Sequence, residues 1–248
     1  MKIVHLCLGA FFPDNYSYQE NMLPKFHKKQ GYDVEVIASL ETFDNDGKTC
    51  YYSEAKRYTN ENDVLVTRLN YKSPDKFYKK LKRFSGLSQA LEMAKPDILF
   101  IHNVQFLDMD KVVSYLKRNK KVKVFCDNHA DFTNSAKGFV SRKILHGIIW
   151  KHCAKSIEPY TTKFYGVLPA RVDFLKEVYG LPKEKCELLV MGADDDRVSH
   201  ASDPAVREAV RKRYKINDDE ILLVTGGKID HNKTQTLTLM DAINKLDN

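Results

Sequence analysis

The feature that most constrains the fold is an alternation of short apolar segments with longer amphipathic ones. Segments with helical periodicity, such as residues 18–30 and 108–119, separate the apolar runs. Strands joined through helices form βαβ units, whose connections make neighbouring strands parallel. The sequence therefore predicts an α/β fold: a Rossmann-like parallel sheet with helices on both faces. The apolar runs that support it lie at residues 2–8, 33–38, 95–102, 122–126, 163–168 and 186–191.

The pattern changes after residue 191, where a polar, turn-rich stretch contains three consecutive aspartates. We predict an N-terminal Rossmann-like domain over residues 1–191, a linker over 192–204, and the truncated start of a second Rossmann-like domain over 205–248. That second part offers helix 205–214, an apolar strand at 221–224 and a helix after a Gly-Gly turn. One strand and two helices cannot cover both faces of a sheet, so we expect this chain to be a fragment.

Composition limits the class of partner. The net charge is +7 and the sequence pI is about 9.0, with basic runs in residues 72–83 and 117–123. Nucleic acid, an anionic membrane surface and a phosphorylated small molecule all complement such charge. Since no nucleic-acid-binding motif accompanies the basic runs, we expect no nucleic acid partner.

The chain also lacks the signatures of a secreted or membrane-spanning protein. Its five cysteines are scattered singly, which argues against a disulfide framework and against a zinc site. No apolar run reaches the roughly 18 residues that a membrane span needs. We therefore expect a cytoplasmic protein.

Residues 138–154 predict a helix with a wide apolar face and a basic rim. A helix that lies in a membrane interface has this pattern, and so does an ordinary helix that covers a sheet. Both interpretations stay open.

Polar side chains follow two of the predicted strands. His102 and Asn103 end one strand, and Asp127, His129 and Asp131 follow the next. Ligands bind at the carboxyl ends of strands in doubly wound sheets, so these residues are the candidates for a site. His129 is the candidate acid, base or hydrogen-bond donor, because carboxylates surround it. The short spacing on one loop does not predict a metal site.

Other sequence patterns narrow the chemistry further. The nucleophile-elbow, P-loop and G-x-G-x-x-G motifs do not occur in the sequence, which argues against the hydrolases, P-loop proteins and simple dinucleotide-binding proteins that carry them. The run at 221–233 combines a strand, two glycines and two lysines before a helix. Glycines allow close backbone approach and a helix N-terminus binds anions, so this loop suits a phosphate or diphosphate.

Four stretches, at 97–103, 169–180, 188–197 and 224–228, occur in an order that resembles a known family. The chain is similar over its whole length to the group-1, family 4 retaining glycosyltransferases of the GT-B fold. That resemblance implies two facing Rossmann-like domains, a UDP- or GDP-sugar donor substrate, no cofactor and no catalytic metal.

The resemblance also implies residue roles. Gly226, Gly227, Lys228 and Lys233 would contact the donor diphosphate, and His129 would reach the donor sugar as the catalytic residue. Lys228 stands where the family usually has arginine, so a bidentate contact becomes a point-charge contact. The remaining implied contacts, to the acceptor or to a sugar, are Asn15, His102, Asn103, Asp127 and Asp131.

Two departures from the family pattern accompany these roles. The first loop, residues 9–17, lacks the paired glycines that many members have there. The acidic E-x7-E element of the family has no counterpart in the sequence.

The sequence thus predicts a glycosyltransferase that moves a sugar from a nucleotide-diphosphate donor to a saccharide or lipid-linked acceptor in surface polysaccharide synthesis. Peripheral contact with an anionic membrane would bring it to a lipid-phosphate acceptor. Two alternatives remain: a non-catalytic acceptor-binding or structural domain, and a sugar-nucleotide epimerase of the same architecture.

Overall fold

The computed structural model describes residues 1–44, 46–72, 79–136, 138–225 and 235–245. These form two compact units, Met1–Ala193 and Asp194–Asn248. The assignment of the two units to the acceptor and donor sides of an enzyme stays a prediction.

The strands of the described residues all lie in the first unit. They are β1 (Lys2–Cys7), β2 (Asp33–Ser39), β3 (Glu41–Phe43), β4 (Thr49–Tyr51), β5 (Arg57–Thr59), β6 (Leu65–Leu69), β7 (Ile98–His102), β8 (Lys123–Asn128), β9 (Thr161–Gly166) and β10 (Cys186–Leu188).

The helices alternate with the strands, as the sequence predicts. They are α1 (Gln19–Lys29), α2 (Leu87–Ala94), α3 (Met109–Arg118), a π-helix (Val140–Trp150) that continues into α4 (Lys151–Ile157), α5 (Pro169–Glu177), α6 (Asp195–Ala201), α7 (Pro204–Tyr214) and α8 (Gln235–Ile243). None of the helices in the described ranges is long and apolar enough to cross a membrane.

Eight strands form the main sheet in the order β10-β9-β8-β7-β1-β2-β6-β5. Every neighbouring pair is parallel except β5 with β6. The strand order reverses beside β1, which lies between β2 and β7. The predicted α/β class with a parallel sheet is confirmed, and the reversal marks the point where such sheets bind ligands.

The sheet is covered on both faces. In β2, Val36 and Ala38 belong to one buried apolar cluster, whereas Ile37 belongs to the other. Successive side chains of a strand point to opposite faces, so the two clusters lie on opposite sides of the sheet. The residues of both clusters are buried, which explains why the strands are continuous apolar runs rather than alternating ones.

The predicted linker at 192–204 includes the point between Ala193 and Asp194 where the two units divide, and it contains α6. Two local predictions were wrong. Residues 57–62, expected to be a polar connection, contain β5, an edge strand with two exposed residues. Residues 221–225, expected to begin with a buried strand, form no strand, and Ile221 is 87% exposed. A strand needs a hydrogen-bonded neighbour, and no described residue of this unit supplies one.

The described part of the second unit is helical. Asp203 caps α7 by accepting a hydrogen bond from the backbone N–H of Ala205 at 2.9 Å, and Pro204 occupies the first helical position. Lys215 ends the helix in the left-handed conformation with φ 55°. The helix predicted over 205–214 is therefore confirmed, with both its ends defined by local chemistry.

Candidate functional site

A cleft of about 750 Å³ lies in the first unit at the carboxyl ends of the central strands. The loop after β1 contributes Gly9, the loop after β7 contributes Asn103, and the loop after β8 contributes His129. The ends of neighbouring parallel strands bring these loops together where the strand order reverses. The cleft is the size of a pocket for a small organic ligand.

Close backbone packing shapes the floor of the cleft. A Cβ atom on Gly9 would lie 2.4 Å from the carbonyl oxygen of Asn103, so only glycine fits there. Asn103 itself has φ 66°, a left-handed conformation that non-glycine residues seldom adopt. Its side-chain Oδ1 is buried and has no hydrogen-bond partner among the described residues. Strain and an unused acceptor at the same residue are typical of a binding position.

A buried arginine anchors the first loop. Arg68 of β6 is 1% exposed, and its guanidinium lies 3.4 Å from Oδ1 of Asp14 and donates to the carbonyl oxygen of Ser39 at 3.0 Å. The hydroxyls of Tyr52 and Tyr58 donate to Oδ2 of the same carboxylate. This network ties the loop after β1 to β6, and hence fixes one wall of the cleft.

A chain of histidines runs behind the cleft. His102 of β7 lies opposite Asp127 of the neighbouring strand β8. Nδ1 of His102 is 2.7 Å from Oδ2 of the Asp127 carboxylate. Nε2 of His102 is 2.9 Å from Nδ1 of His5, and Nε2 of His5 is 3.0 Å from Nδ1 of His27. Since an ionised carboxylate only accepts hydrogen bonds, we assign the Nδ1–H tautomer to all three rings. Each ring then donates toward Asp127.

The surroundings of His5 and His27 favour the neutral forms of these two rings. His5 is fully buried, and burial, followed by repulsion from His102 and His27, holds its pKa well below the ordinary value. Burial likewise lowers the pKa of His27. The three rings and the carboxylate form a directed chain of hydrogen bonds that ends at Asp127.

Asp127 is the centre of the cluster. Burial disfavours its charge, but the His102 ring and then His129 more than offset this, so that its pKa lies below the usual range. Its Oδ1 also accepts the backbone N–H of Asn103 at 3.0 Å. The carboxylate thus holds the strained Asn103 backbone and the histidine chain at once.

His129 lies between two carboxylates at the cleft wall. Its Nε2 is 3.5 Å from Asp127 Oδ1 and 3.6 Å from Glu20 Oε1. Burial lowers its pKa, but the two carboxylates raise it more, so the net pKa lies above the ordinary histidine value. Both distances exceed that of a strong hydrogen bond. Because Nε2 is buried and faces these two carboxylates, the ring is a cation-favouring group, and a ligand in the cleft would use its Nδ1–H.

Glu20, His5 and His27 were not among the site residues predicted from the sequence. Glu20, in the first turn of α1, is 6% exposed, and burial raises its pKa. The one available signal was that His5 interrupts an otherwise apolar first strand. Nothing local linked it to residues that lie about a hundred positions away.

The predicted site residues divide by position. His129 and Asn103 line the cleft. His102 and Asp127 are buried, and Asp127 contacts both cleft residues through the Asn103 backbone N–H and the His129 ring. Asp131 organises its own loop: Oδ1 accepts the N–H groups of Thr133 and Asn134, and Oδ2 accepts Nε–H of Arg171. Its predicted role as a sugar contact stays a prediction.

Asn15 is exposed, has φ 63° and donates its backbone N–H to Glu61 at 2.9 Å. It forms the turn that joins the first loop to α1, and its predicted contact role also stays a prediction.

The predicted donor-phosphate residues, Gly226, Gly227, Lys228 and Lys233, lie outside the described residues. Within the described ranges, no group of three or more His, Cys, Asp or Glu side chains could hold a metal ion.

No protein-family model matches the chain, and no curated protein matches it significantly. Among solved structures, it is similar to a glycosyltransferase from Rickettsia africae ESF-5, with a TM-score of 0.57 and 16% identity. The match covers 99% of this chain and 57% of the other, so the chain spans just over half the length of that structure. This likeness shows the fold alone: the chain shares its α/β architecture, a large parallel sheet flanked by helices, with that structure.

Two further matches have lower scores. An Escherichia coli trehalose-6-phosphate protein bound with UDP-2-fluoro glucose matches with a TM-score of 0.49 and 12% identity, over 87% of this chain and 55% of the other. HepE from Anabaena in complex with UDP and glucose matches with a TM-score of 0.49 and 10% identity, over 86% of this chain and 50% of the other. At these scores the two likenesses carry no structural argument.

Proposed function

We propose that the protein is a retaining, hexosyltransferase-like glycosyltransferase that moves a sugar from a nucleotide-diphosphate donor to a saccharide or lipid-linked acceptor. The observation that carries this proposal is the cleft at the strand-order reversal, with His129 in its wall. The fold supports it, since the same α/β architecture occurs in the Rickettsia glycosyltransferase. The setting we propose is surface polysaccharide synthesis in the cytoplasm, at the inner face of the membrane.

His129 would act as a charged hydrogen-bond donor to the donor sugar. Its raised pKa favours the cationic ring, which Asp127 and Glu20 contact through Nε2. A positioned N–H group would donate a hydrogen bond to a hydroxyl oxygen of the donor sugar and so orient the sugar for transfer. The bond between the anomeric carbon and the phosphate oxygen breaks as an acceptor hydroxyl oxygen bonds to that carbon and loses its proton. Lys228 and Lys233 would stabilise the negative charge that develops on the departing diphosphate, and no metal or cofactor would be needed.

His129→Asn tests this role in an assay of sugar transfer. We expect kcat to fall about 100-fold, within the range for loss of a positioned proton donor. His152→Asn is the matched control, since His152 is an exposed histidine. Equal rates for the two variants would contradict the proposed role of His129.

Nucleotide binding separates a transferase from a non-catalytic domain. Calorimetry of this 248-residue chain with UDP and GDP should give a Kd on the order of micromolar for one of them. Lys228→Ala should weaken that binding. Absence of both nucleotide binding and transfer would favour the non-catalytic domain, and products formed without an acceptor would favour an epimerase.

The proposed membrane contact rests on the π-helix. Val140, Ile144 and Ile148 recur every fourth residue and are 60%, 44% and 64% exposed. Arg142 and Lys143 are exposed beside them. Apolar side chains with a basic rim suit the headgroup region of an anionic bilayer.

Cosedimentation with phosphatidylglycerol vesicles tests this contact. Binding should weaken as salt is raised, because salt screens exposed charges. Ile148→Glu should reduce binding, whereas Met93→Glu, which changes an equally exposed apolar residue on α2, should not. Salt-independent binding, or equal loss in both variants, would contradict the contact.

A further inference from the structure

Among the described residues, Lys82 is a cation in the cleft without a carboxylate partner. Its residue is half-buried, lines the cleft, and donates from Nζ to the carbonyl oxygen of Gly9 at 2.8 Å. Burial lowers its pKa, an effect that Glu41 only partly opposes. Its backbone is also left-handed, with φ 51°. An ammonium has three donors, and the described residues accept one hydrogen bond from it, so the group has donors to offer a ligand.

Asn103 supplies a second unused group beside the same glycine. Its Oδ1 is buried without a partner among the described residues, and its residue is 8% exposed and lines the cleft. Gly9 contacts both residues: its carbonyl accepts from Lys82, and its Cα packs on Asn103. The Lys82 ammonium and the Asn103 side-chain oxygen therefore belong to two residues that both contact Gly9. An amide oxygen of this kind requires a hydroxyl or an N–H group from the ligand.

Aromatic rings line the same cleft. The ring of Phe11 stacks on that of Phe43 with 5.2 Å between centroids, and the ring of Tyr18 meets Phe43 edge-on at 6.2 Å. All three residues line the cleft, and Phe11 and Tyr18 remain 37% and 44% exposed. Exposed aromatic faces pack against flat apolar surfaces, such as the C–H face of a pyranose ring.

We propose that this cleft binds an acidic sugar as the acceptor. Its anionic group would pair with Lys82, a ring hydroxyl would donate to Oδ1 of Asn103, and the ring face would pack on Phe11 and Phe43. The assignment of this ligand as acceptor rests on the proposed function, because a donor diphosphate has its own predicted loop at 226–233. The anion can be a carboxylate, as in a uronic acid, or a phosphate, as in a sugar phosphate; Lys82 recognises both.

The test compares glucose, glucuronate and glucose 6-phosphate in direct binding to the purified chain by ligand-observed NMR and calorimetry. We expect at least one acid to bind about tenfold or more tightly than glucose, as a charge-assisted hydrogen bond requires. Lys82→Met should remove that preference, so that the acids and glucose bind with similar affinity. Lys80→Met, at an exposed lysine two residues away, should retain it, and Lys82→Arg should restore part of it.

Three results would overturn the proposal: acids that bind no better than glucose, a preference that survives Lys82→Met, or a preference that Lys80→Met removes equally. Circular dichroism of each variant shows whether it folds, and Asn103→Asp gives a second measure. The added carboxylate should repel the acids, so their preference over glucose should fall.

UDP binding, measured in parallel, separates this inference from the proposed function. Loss of UDP binding in Lys82→Met would assign the lysine to the donor and overturn the acceptor proposal. Acid binding that depends on Lys82 without any nucleotide binding would support the anion site and contradict the transferase. The stronger of the two acids identifies the anionic group.

Discussion

Asp127→Asn is the substitution that most directly tests the architecture of the site. The carboxylate is 1% exposed, and its oxygens accept from the His102 ring at 2.7 Å and from the Asn103 backbone at 3.0 Å. Hydrogen bonds to a charged acceptor contribute about 1.5–3 kcal/mol each. Asparagine preserves the shape and one carbonyl oxygen, but it places an NH2 group against Nδ1 of His102.

The histidine chain limits the loss. If His102 changes tautomer, its Nδ1 accepts from the new NH2 group, and its Nε2–H donates to His5, which in turn donates to His27. Every bond of the chain then reverses and none is lost. We therefore expect a decrease in the free energy of unfolding of about 2–3 kcal/mol, since two charge-assisted bonds become neutral ones.

Urea unfolding near neutral pH measures this decrease, and ¹⁵N NMR of the imidazoles detects the reversed tautomers. Asp173→Asn is the matched control, because Asp173 is exposed and pairs only with Lys176 at 3.5 Å; we expect a change below about 0.5 kcal/mol. The pKa of Asp127 is lowered by folding, so its contribution is present above the unfolded value of about 3.9 and is lost as pH falls through the folded pKa. Stability equal to the wild type within about 0.5 kcal/mol, with unchanged tautomers, would refute the assigned chain.

Three further predictions concern neighbouring residues. NMR titration should give His129 a pKa above the ordinary value of about 6.5. The stabilising contribution of the charged ring is then complete below about 6.5 and is lost as pH rises through the folded pKa. His129→Gln should remove this pH dependence of the free energy of unfolding. Gly166→Ala should lower the free energy of unfolding by about 2–3 kcal/mol, because the new Cβ would lie 2.3 Å from the Val172 backbone nitrogen, whereas Gly138→Ala, with nothing within 4 Å, should change it little. Arg68→Met should lower it by about 3 kcal/mol in urea unfolding, since Asp14 would lose its cationic partner.

The sheet could be predicted because its information is local. Each central strand is a continuous apolar run, and the helix between two strands fixes their parallel direction. Edge elements carry no such signal. In β5 the residues Arg57 and Thr59 face solvent, so the segment resembles a loop until it pairs with β6.

The opposite error occurred at residues 221–224. Four consecutive apolar residues have the composition of a buried strand, yet Ile221 and Val224 are 87% and 78% exposed. Apolar composition reports what a segment would gain from burial, and it does not supply the neighbouring strand that a sheet requires. The prediction was wrong because the segment has no neighbouring strand among the described residues, although its composition suits a strand.

The candidate site shows the same division. His102, Asp127 and His129 were predicted because strand ends are recognisable in the sequence. His5 was not, because its contact with His102 depends on β1 lying next to β7 in a particular register, with His5 opposite Phe100. His27 was not, because it joins the chain only through His5. That adjacency is a property of the strand order, which no local pattern encodes.

Lys82 shows why a local pattern could not identify every site residue. It belongs to a basic run in which Lys80 is exposed, and both lysines carry the same charge and adjoin the apolar Leu81. What distinguishes them is a hydrogen bond across 73 positions, from the Lys82 ammonium to the carbonyl of Gly9. Gly9 packs so closely on the Asn103 backbone that a Cβ atom would not fit between them. Tertiary packing at the cleft floor therefore decides which lysine lines the cleft. The net charge of +7 predicts an anionic partner, but it does not identify the lysine that would bind the anion.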